Sequence, residues 1–479
     1  MKPLDILIMA AGKGTRMHSH LPKVLQRLAG RPLLQHVLDK AAQLQARSAI
    51  VITGHGATEV EATSAGWIRA TGQFDLKFAR QEPQLGTGHA VQQALPQLRT
   101  DGTVVVLSGD VPLTQSETLR ALIAASEAVP GGALALLTVT LPEPSGYGRI
   151  VRNAQGAVQG IVEHKDASTA QRAITEVYSG ILAVPARLLA PWLARLTNHN
   201  AQGEYYLTDI VAMAVQDGVP VLAHRISDAL QVAGVNSPVQ LAELERAHQL
   251  RQAHALMEQG VRLADPARFD VRDDTRSGVR GELVCAQDVE IDVGCVFTGR
   301  VELGDGVHIG AHCCIANATI GAGAVIHPYT HIDGEQAGVT VGAGALIGPF
   351  ARLRPGAHLG REVHIGNFVE IKNSTLADGA KANHLAYVGD AALGERVNYG
   401  AGSITANYDG ANKHRTVIEA EAHIGSNCVL VAPVTIGAGA TVGAGSTITK
   451  TVPAGALGVA RGKQMLLANW ARPTKQPKP

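Results

Sequence analysis

The chain has 479 residues, with 42 Lys and Arg against 41 Asp and Glu, and only 4% aromatic residues. This length accommodates two or three domains, each able to bury a core. Because the charges nearly balance, no bulk electrostatic attraction to nucleic acid or to a membrane surface is predicted, and any anion site must be local.

The cysteines and the apolar segments bear on cellular location. All five cysteines lie in the second half, their number is odd, and none forms the C-x-x-C spacing of a zinc or redox site. They predict reduced, buried thiols in a cytoplasmic protein. The apolar run at residues 6–11 is too short for a signal sequence, and the uncharged segment 422–449 has a glycine spacing unlike a membrane span. We therefore predict no membrane insertion.

The first half alternates apolar runs with longer amphipathic stretches, which predicts an α/β domain with a largely parallel, Rossmann-like sheet. Ligand sites in such sheets gather at the carboxyl ends of the strands. The predicted strands are residues 6–11, 49–53, 104–107 and 134–139.

A glycine-containing turn, MAAGKGTRM from Met9 to Met17, follows the first predicted strand. Its backbone N–H groups could surround phosphate oxygens. It lacks the spacing of a P-loop, and Met17 stands where a dinucleotide fingerprint has its third glycine. Taken alone, a plain strand-to-helix turn with solvated Lys13 and Arg16 is an equally good interpretation.

A long helix is predicted between the two halves. Ser237, Pro238 and Gln240 provide an N-cap, a first-turn proline and a capping-box glutamine, and Gly260 provides a stop. We therefore divide the chain into a first domain at 1–236, a linking helix at 237–260 and a second domain at 261–479, which ends in a basic tail. No acidic residue follows Glu421, and a solvated tail is the simplest interpretation.

The second half carries a repeat with a period of six, which fits neither an α-helix nor an alternating strand. It fits a coil with three short flat sides whose inward side chains stack into a column. Two interruptions, at 406–416 and 333–338, are expected to form loops on a binding face. The repeating anchors are Ile291, Phe297, Leu303, Ile309, Ile315, Val341, Ile347, Leu353, Leu359, Ile365, Ile371, Ile418, Ile424, Leu430, Ile436, Val442 and Ile448.

This repeat resembles the hexapeptide-repeat acyltransferases, whose fold is a left-handed parallel β-helix. The glycine turn is followed by LPK, QLGTGHA, LSGDVP, GYGRI, EHKD and GVN, and this series resembles the sugar-nucleotidyltransferase family. The closest resemblance, across the whole chain, is to its bifunctional N-acetylglucosamine-1-phosphate uridylyltransferases. It implies acetylation of glucosamine-1-phosphate by acetyl-CoA, then Mg²⁺-dependent uridylyl transfer from UTP, in a homotrimer with active sites shared between subunits.

The resemblance also assigns residues to the uridylyltransferase site. Lys23 would pair with phosphate charge, Asp110 and Asn236 would hold Mg²⁺, and Gly148 and Glu163 would meet the sugar. Without the surrounding series, Asp110 would be an ordinary turn aspartate, and Asn236 before Ser-Pro is also a plain turn signal. The positions implied at UTP or UDP-N-acetylglucosamine are Met9, Ala10, Ala11, Gly12, Lys23, Gln81, Gly86, Thr87, Ser108, Gly109, Asp110, Gly148, Glu163 and Asn236.

One position departs from the family pattern. The segment EVYSG has Tyr178 where the family usually has an asparagine that touches the sugar. A phenol cannot reproduce both amide hydrogen bonds. We expect uridylyl transfer to survive because Glu163 and Gly148 are retained.

For acetyl transfer, the resemblance implies that His384 is the general base, and an unperturbed imidazole titrates near neutral pH. Without this resemblance, any one of the 19 histidines would be expected to be structural or merely exposed. Ser426 could hold the thioester or transition-state oxygen, and Arg461 would give the basic tail a role at the CoA phosphates. The residues implied at the sugar phosphate are Arg354, Lys372, Tyr387 and Asn398, and those at acetyl-CoA are Ala401, Asn407, Tyr408, Ser426, Ala444 and Arg461.

Two other functions fit the same two folds. One is a nucleotidyltransferase whose β-helix only assembles subunits or senses effectors, as in proteins similar to ADP-glucose pyrophosphorylase. The other is a non-catalytic assembly or exchange factor. The co-occurrence of His384, Lys372 and Arg354 speaks against the first, and intact Lys23 and Asp110 speak against the second.

Overall fold

A computed structural model describes residues 2–71 and 74–475, except for the side chains of residues 68–71. Residues 476–479, at the end of the predicted basic tail, lie outside the described residues. Backbone contacts divide the chain into unit 1, Met1–Gln249, and unit 2, Leu250–Pro479. This division falls inside the helix Pro238–Glu258, which lies within the predicted linking helix.

Among its described residues, unit 1 contains eleven strands and eight α-helices, counting the helix that crosses into unit 2. The strands are β1 Leu4–Ala10, β2 Arg27–Leu28, β3 Arg31–Pro32, β4 Ser48–Thr53, β5 Asp75–Arg80, β6 Thr103–Ser108, β7 Leu134–Thr140, β8 Arg149–Arg152, β9 Val158–Val162, β10 Glu176–Pro185 and β11 Val221–Ile226. The helices are α1 Leu33–Gln43, α2 Ala57–Thr71, α3 Thr87–Ala94, α4 Ser116–Glu127, α5 Thr169–Arg172, α6 Ala186–Leu193, α7 Asp209–Gln216 and α8 Pro238–Glu258.

The main sheet has the strand order β11-β7-β10-β6-β1-β4-β5. β1, β4, β5 and β6 are mutually parallel, and β10 runs antiparallel between β6 and β7. The four predicted apolar runs correspond to β1, β4, β6 and β7, although Ala11 of the first run follows the end of β1. The largely parallel sheet is therefore confirmed, with one reversed strand that periodicity could not reveal.

Helices cover both faces of this sheet because side chains alternate along each buried strand. Ile6 and Ile8 of β1 belong to a core that includes Leu38 of α1 and Leu122 of α4. Leu7, between them, points to the opposite core, which includes Trp192 of α6. Both faces are thus closed, and ligands can approach only at the strand ends and loops.

Unit 2 is a solenoid of parallel strands, as the period of six predicts. One sheet has eleven strands: Arg262–Leu263, Glu290–Ile291, His308–Ile309, Val325–Ile326, Leu346–Ile347, His364–Asn367, Lys381–His384, Asn398–Tyr399, His423–Ile424, Thr441–Val442 and Leu457–Gly458. The other has seventeen: Phe269–Arg272, Glu282–Cys285, Cys295–Leu303, Cys314–Ile320, His331–Asp333, Val339–Val341, Arg352–Leu353, Ala357–Leu359, Glu370–Lys372, Ser374–Leu376, Tyr387–Gly389, Ala391–Leu393, Ile404–Ala406, Thr416–Ile418, Val429–Val431, Val434–Ile436 and Thr447–Ile448.

The six-residue anchors form the core of this solenoid, and every one of them is at most 5% exposed. Strand register locates the larger interruption. Ile424 pairs with Val442, 18 residues later, whereas Tyr399 pairs with Ile424, 25 residues later. The seven extra residues fall within the predicted insertion at 406–416, in which Tyr408 forms an antiparallel bridge with Lys413. The parallel β-helix is confirmed.

All five cysteines are free, but the expectation of buried thiols holds for only three of them. Cys285 is half-buried and Cys314 is exposed, because Cys314 precedes the inward anchor Ile315 and alternation turns it outward. In residues 2–71 and 74–475 no helix is long and apolar enough to cross a membrane. The uncharged segment 422–449 instead forms coils of the solenoid.

Candidate active sites

The first site is built where β1 ends. Met9 and Ala10 are its last residues, and Ala11 and Gly12 lead into a turn that reverses at Gly14, whose φ of +60° favours glycine. A β-carbon on Gly12 would meet nothing within 4 Å. The turn therefore leaves open space beside its backbone.

A cleft of about 870 Å³ lies next to this turn. A β-carbon on Gly54 would lie 2.9 Å from the Ala11 side chain, so glycine is required for the approach of the two loops. The cleft is large enough for a nucleotide-sized ligand. Its lining residues are Lys13, Gly54, His55, Gly56, Ala57, Thr58, Glu59, Arg80, Gln81, Glu82, Pro83 and Gln84.

Gln81, at the carboxyl end of β5, organises the next loop. Its Nε2 donates to the carbonyl of Gly86 at 2.9 Å. Gly86 has a φ of +109°, and a β-carbon there would lie 2.7 Å from the carbonyl oxygen of Tyr205. Thr87 begins α3, and its hydroxyl accepts from the Leu207 N–H at 3.0 Å. These three predicted nucleotide residues thus form one connected loop.

The predicted metal residues and Lys23 converge after β6. Ser108 pairs with Met9, and the Gly109 N–H donates to the Met9 carbonyl at 2.9 Å. The Lys23 Nζ lies 2.5 Å from Oδ2 of Asp110 and 3.2 Å from Oδ1 of Asn236. The side chains of Lys23 and Asp110 are only 13% and 17% exposed. An ammonium group therefore already bridges a carboxylate and an amide oxygen.

The oxygen donors at this position decide which metal could fit. Among the described residues, no group of three or more His, Cys, Asp or Glu side chains is arranged to hold a metal ion. Asp110 and Asn236 offer two oxygen ligands. Mg²⁺ takes oxygen ligands, keeps several waters and is commonly held by one or two carboxylates with substrate phosphates, so this pair fits it.

The predicted sugar residues face each other across two turns. A β-carbon on Gly148 would lie 3.5 Å from Oε1 of Glu163, and that oxygen accepts from the Thr208 hydroxyl at 3.0 Å. Burial raises the pKa of Glu163, against the hydrogen bond from Thr208, and nearby Asp209 adds to the rise. Burial also raises the pKa of Tyr147, with a further contribution from Asp110. The sugar turn and the Lys23 cluster are therefore neighbours.

Tyr178 is buried beneath this turn rather than presented to it. Its backbone N–H donates to the Gly148 carbonyl at 2.9 Å, and its side chain is packed in a core of unit 1. Its hydroxyl is buried with no hydrogen-bond partner among the residues that the structure describes. Burial raises the pKa of this phenol, as does the charge of Glu163. Tyr178, in place of the family's asparagine, thus fills space in the core and exposes no new polar group.

A buried arginine that the sequence did not single out ties these turns together. Arg149 is 1% exposed, and its guanidinium donates to the carbonyl of Tyr147. It also lies 3.3 Å from Nδ1 of His164. Because Tyr147 precedes Gly148 and His164 follows Glu163, this contact fixes the spacing of the two sugar residues.

In unit 2 the predicted base and acetyl-CoA residues stack on successive coils at one corner. Backbone N–H groups link the column: Gly402 donates to His384, Asn427 to Ala401, and Gly445 to Ser426, at 3.2, 2.7 and 2.8 Å. Arg461 then donates from Nη1 to the carbonyl of Ala444 at 2.9 Å. His384, Ala401, Ser426, Ala444 and Arg461 therefore form one continuous surface.

A cluster of cations lies on an adjoining side. Arg354 and Lys372 occupy neighbouring coils, and the Arg354 N–H donates to Ile371 at 2.9 Å. The pKa of Lys372 is lowered by contact with the Lys413 ammonium, then by burial and by Arg354. Lys413, in the 406–416 insertion, was not predicted. Arg354 is also ion-paired with Glu370 at 2.9 Å, so the closeness of the Lys372 and Lys413 ammonium groups is the feature that favours an anion here.

The remaining predicted residues surround this cluster. The Tyr387 hydroxyl lies over Gly389, where a β-carbon would be 2.3 Å away, and Gly389 pairs with Lys372. The Asn407 amide donates to Asp390. The negative charge of Asp390 raises the pKa of Lys372 and so opposes part of its lowering.

Two further predicted residues, Asn398 and Tyr408, are located by a strand pairing and by a contact within a loop. Asn398 lies in the same sheet as His384 and pairs with Lys381. Tyr408 is 62% exposed, and its hydroxyl bonds within its own loop, to Gly410 at 2.6 Å.

Comparison with known proteins places the chain in a family. Residues 6–225 match the MobA-like NTP transferase domain, and residues 338–373 and 415–450 match the bacterial transferase hexapeptide (six repeats). A relative from Paracidovorax citrulli (strain AAC00-1), named Bifunctional protein GlmU, is 79% identical over 479 residues and covers all of both chains. The chain belongs to the bifunctional GlmU family.

Two further relatives carry the same name. One from Acidovorax ebreus (strain TPSY) is 79% identical over 478 residues and covers all of both chains. One from Cupriavidus pinatubonensis (strain JMP 134 / LMG 1197) is 55% identical over 475 residues, which is 99% of this chain and 100% of that one. As a GlmU family member, the chain is a bifunctional transferase of UDP-N-acetylglucosamine synthesis, with glucosamine-1-phosphate acetyltransferase and N-acetylglucosamine-1-phosphate uridylyltransferase activities.

Proposed function

We propose that uridylyl transfer takes place at Lys23, Asp110 and Asn236 and depends on Mg²⁺. The observation that carries the proposal is the Lys23 ammonium between the Asp110 and Asn236 oxygens, which marks this point as one that stabilises positive charge. Asp110 and Asn236 would hold Mg²⁺, which neutralises phosphate charge when bound. Lys23, so close to both, would then pair with a phosphate of UTP.

The chemistry requires no protein nucleophile. A phosphate oxygen of N-acetylglucosamine-1-phosphate attacks the α-phosphorus of UTP, the bond to the β-phosphate oxygen breaks, and pyrophosphate leaves. The chain's task is to bring two anions together in line. Met9, Ala10, Ala11 and Gly12 would present backbone groups to the nucleotide, while the Gln81–Gly86–Thr87 loop would border the uridine.

The acceptor sugar would lie against Gly148 and Glu163. Glycine at 148 leaves room for the sugar ring beside the carboxylate. Glu163 accepts from Thr208 through one oxygen, which leaves the other to accept a sugar hydroxyl. Arg149 holds both turns in place and is a positioning residue.

Replacing Tyr178 tests whether the missing asparagine matters. We expect the unaltered chain to be active. Tyr178→Phe should keep kcat/KM for uridylyl transfer within about threefold, because it removes only a buried hydroxyl that has no hydrogen-bond partner in the described part of the chain. Tyr178→Asn opens a cavity and should cost about 2–4 kcal/mol of stability. Steady-state kinetics and thermal unfolding check this. If Tyr178→Asn restored uridylyl transfer that the unaltered chain lacked, the asparagine would be essential.

We further propose that acetyl transfer takes place at the corner column of unit 2. The Nε2 of His384 takes a proton from the amine of glucosamine-1-phosphate, the amine nitrogen attacks the thioester carbonyl carbon, and the C–S bond breaks to release CoA. Ser426 would donate to the carbonyl oxygen as it gains negative charge. Ala401 and Ala444 leave space for acetyl-CoA, with Asn407 and Tyr408 beside it, and Arg461 would pair with CoA phosphates.

The sugar phosphate would bind at Arg354, Lys372 and the newly located Lys413, with Tyr387 and Asn398 toward the sugar. The observation that carries this is the contact between the Lys372 and Lys413 ammonium groups, whose repulsion lowers the pKa of Lys372, with a smaller contribution from Arg354. A phosphate group placed between them would relieve the repulsion.

Lys413→Met should therefore weaken sugar-phosphate binding without harming the fold. We expect the KM for glucosamine-1-phosphate to rise about tenfold, since one charge-assisted contact contributes about 1.5 kcal/mol, and kcat to change little. Initial-rate kinetics of acetyl transfer measures this. Lys450→Met, at an exposed lysine of the same solenoid, is the matched control. Equal effects in both variants, or a lower unfolding temperature for Lys413→Met alone, would argue against an anion site.

The resemblance also implies a homotrimer in the cytoplasm. An exposed ladder supports the assembly: Tyr329, Phe350 and Phe368 stack at 5.2 and 5.5 Å between ring centroids and are each about half exposed. Leu385, 63% exposed, continues it and directly follows His384. An apolar surface of this kind is typical of protein–protein contacts. Covering it with another copy of the chain would place the His384 column at a subunit boundary.

A further inference from the structure

Asn367 is the side chain that contacts the imidazole of His384. The two residues end the strands His364–Asn367 and Lys381–His384, which pair in parallel with Asn367 opposite His384. Nδ1 of His384 lies 3.1 Å from Oδ1 of Asn367. His384 is exposed, so packing alone does not fix its ring.

The backbone around this pair is held closely. The Leu385 N–H donates to the Asn367 carbonyl at 3.1 Å, and both strands turn immediately afterwards, at Phe368 and Leu385, with φ of +56° and +50°. A β-carbon on Gly366 would lie 1.9 Å from the Asn383 carbonyl oxygen, so only glycine permits this approach of the coils. The main-chain geometry therefore places Asn367 next to His384.

The contact selects one form of the histidine. The Asn367 carbonyl oxygen can only accept, so the Nδ1 of a neutral His384 must carry the proton and Nε2 must keep its lone pair. The partner of one ring nitrogen sets which nitrogen is protonated. In the other tautomer Nε2 carries a proton already and cannot act as a base.

We infer that Asn367 is a positioning residue for acetyl transfer, which keeps Nε2 of His384 free to take the amine proton. This inference rests on the proposed role of His384. After the proton is taken, both ring nitrogens carry hydrogen, and Nδ1–H still donates to Asn367. The same contact therefore serves before and after the proton moves.

Two variants at this position test the inference. Asn367→Ala should lower kcat for acetyl transfer about tenfold or more, a part of the 10²–10⁴ that a general base contributes, with KM values for both substrates within about threefold. Asn367→Asp retains an acceptor and should recover most of kcat. Its carboxylate favours the imidazolium, so the acid limb of the kcat/KM profile should move up by about one pH unit.

Apart from position 367 itself, the charged surroundings of His384 are the same in both variants. Lys381 and His364 pair in register on the same two strands, and His423 follows on the coil beyond Asn398. Thermal unfolding of each variant, measured in parallel, reports whether it is folded, because uridylyl transfer is proposed for unit 1 and would not register damage in unit 2.

The outcomes separate this inference from the proposed function. An unchanged kcat in Asn367→Ala, or an unmoved acid limb in Asn367→Asp, would overturn the role of Asn367 while leaving His384 as the base. Full acetyl transfer by His384→Ala would instead overturn the proposed function itself.

Discussion

Replacing His384 by alanine should abolish acetyl transfer and leave uridylyl transfer to pre-acetylated sugar phosphate nearly unchanged. The expected loss in kcat is about 10²–10⁴-fold, the usual contribution of a general base. His384 is exposed and outside the apolar core of unit 2, so stability should change by less than about 0.5 kcal/mol. Separate assays of the two half-reactions measure how the variant affects each activity.

A matched variant controls for loss of any exposed histidine in the repeat. His308 is exposed in the strand His308–Ile309 of an earlier coil, and His308→Ala should keep both activities. If both half-reactions fell together in His384→Ala, the model with two separate sites would be wrong.

Replacing Asp110 by asparagine should produce the opposite split. Loss of the carboxylate from the Mg²⁺ position is expected to lower uridylyl transfer about 1000-fold, since a bound metal contributes several kcal/mol to the transition state. Acetyl transfer should be retained. The residual activity should need a higher Mg²⁺ concentration to reach half of its maximum. Titrations of activity and of metal binding would both detect this shift.

Asp110→Asn also removes the partner of a mostly buried ammonium. Lys23 is 13% exposed and would lose the negative charge of its carboxylate partner, so some loss of stability is expected. The double variant Lys23→Met with Asp110→Asn separates this effect, because it removes both charges. Asp75→Asn, at the exposed start of β5, is the matched control. Retention of Mg²⁺-dependent uridylyl transfer by Asp110→Asn would contradict the proposed site.

Sequence periodicity predicted the architecture of unit 2 because one anchor per flat side must point inward. The coil length also contained a signal that was not used. Coils of 17 or 18 residues separate register partners such as Ile347 and Ile365, so the residue 17 positions before His384 had to stack beside it. That residue is Asn367. The same count places Ala401 above His384.

Other features could not be predicted by counting residues per coil. Lys413 reaches Lys372 because the 406–416 insertion folds back on itself through the Tyr408–Lys413 bridge, and a loop's path is not encoded in a repeat. Tyr178 stands where the family has a sugar-contacting asparagine, and its side chain is packed in a core of unit 1. Burial of a single side chain in β10 depends on packing from both faces of the sheet, which local sequence does not specify.

In unit 1 the residue series located the site through resemblance, while geometry explains its construction. Asp110 and Asn236 are 126 positions apart in sequence but meet at Lys23 because Val235 is hydrogen-bonded to the Asp110 carbonyl at 2.9 Å. Sheet topology, with β6 beside β1, brings the glycine turn to the same edge. Neither contact is visible in the sequence alone.

The most direct test of the account is one incubation of the unaltered protein with glucosamine-1-phosphate, acetyl-CoA, UTP and Mg²⁺, followed by identification of products by mass. We expect CoA, N-acetylglucosamine-1-phosphate, pyrophosphate and UDP-N-acetylglucosamine, with acetylation preceding uridylylation. Accumulation of UDP-glucosamine without acetylation would contradict the proposed order and the division of labour between the His384 and Asp110 sites.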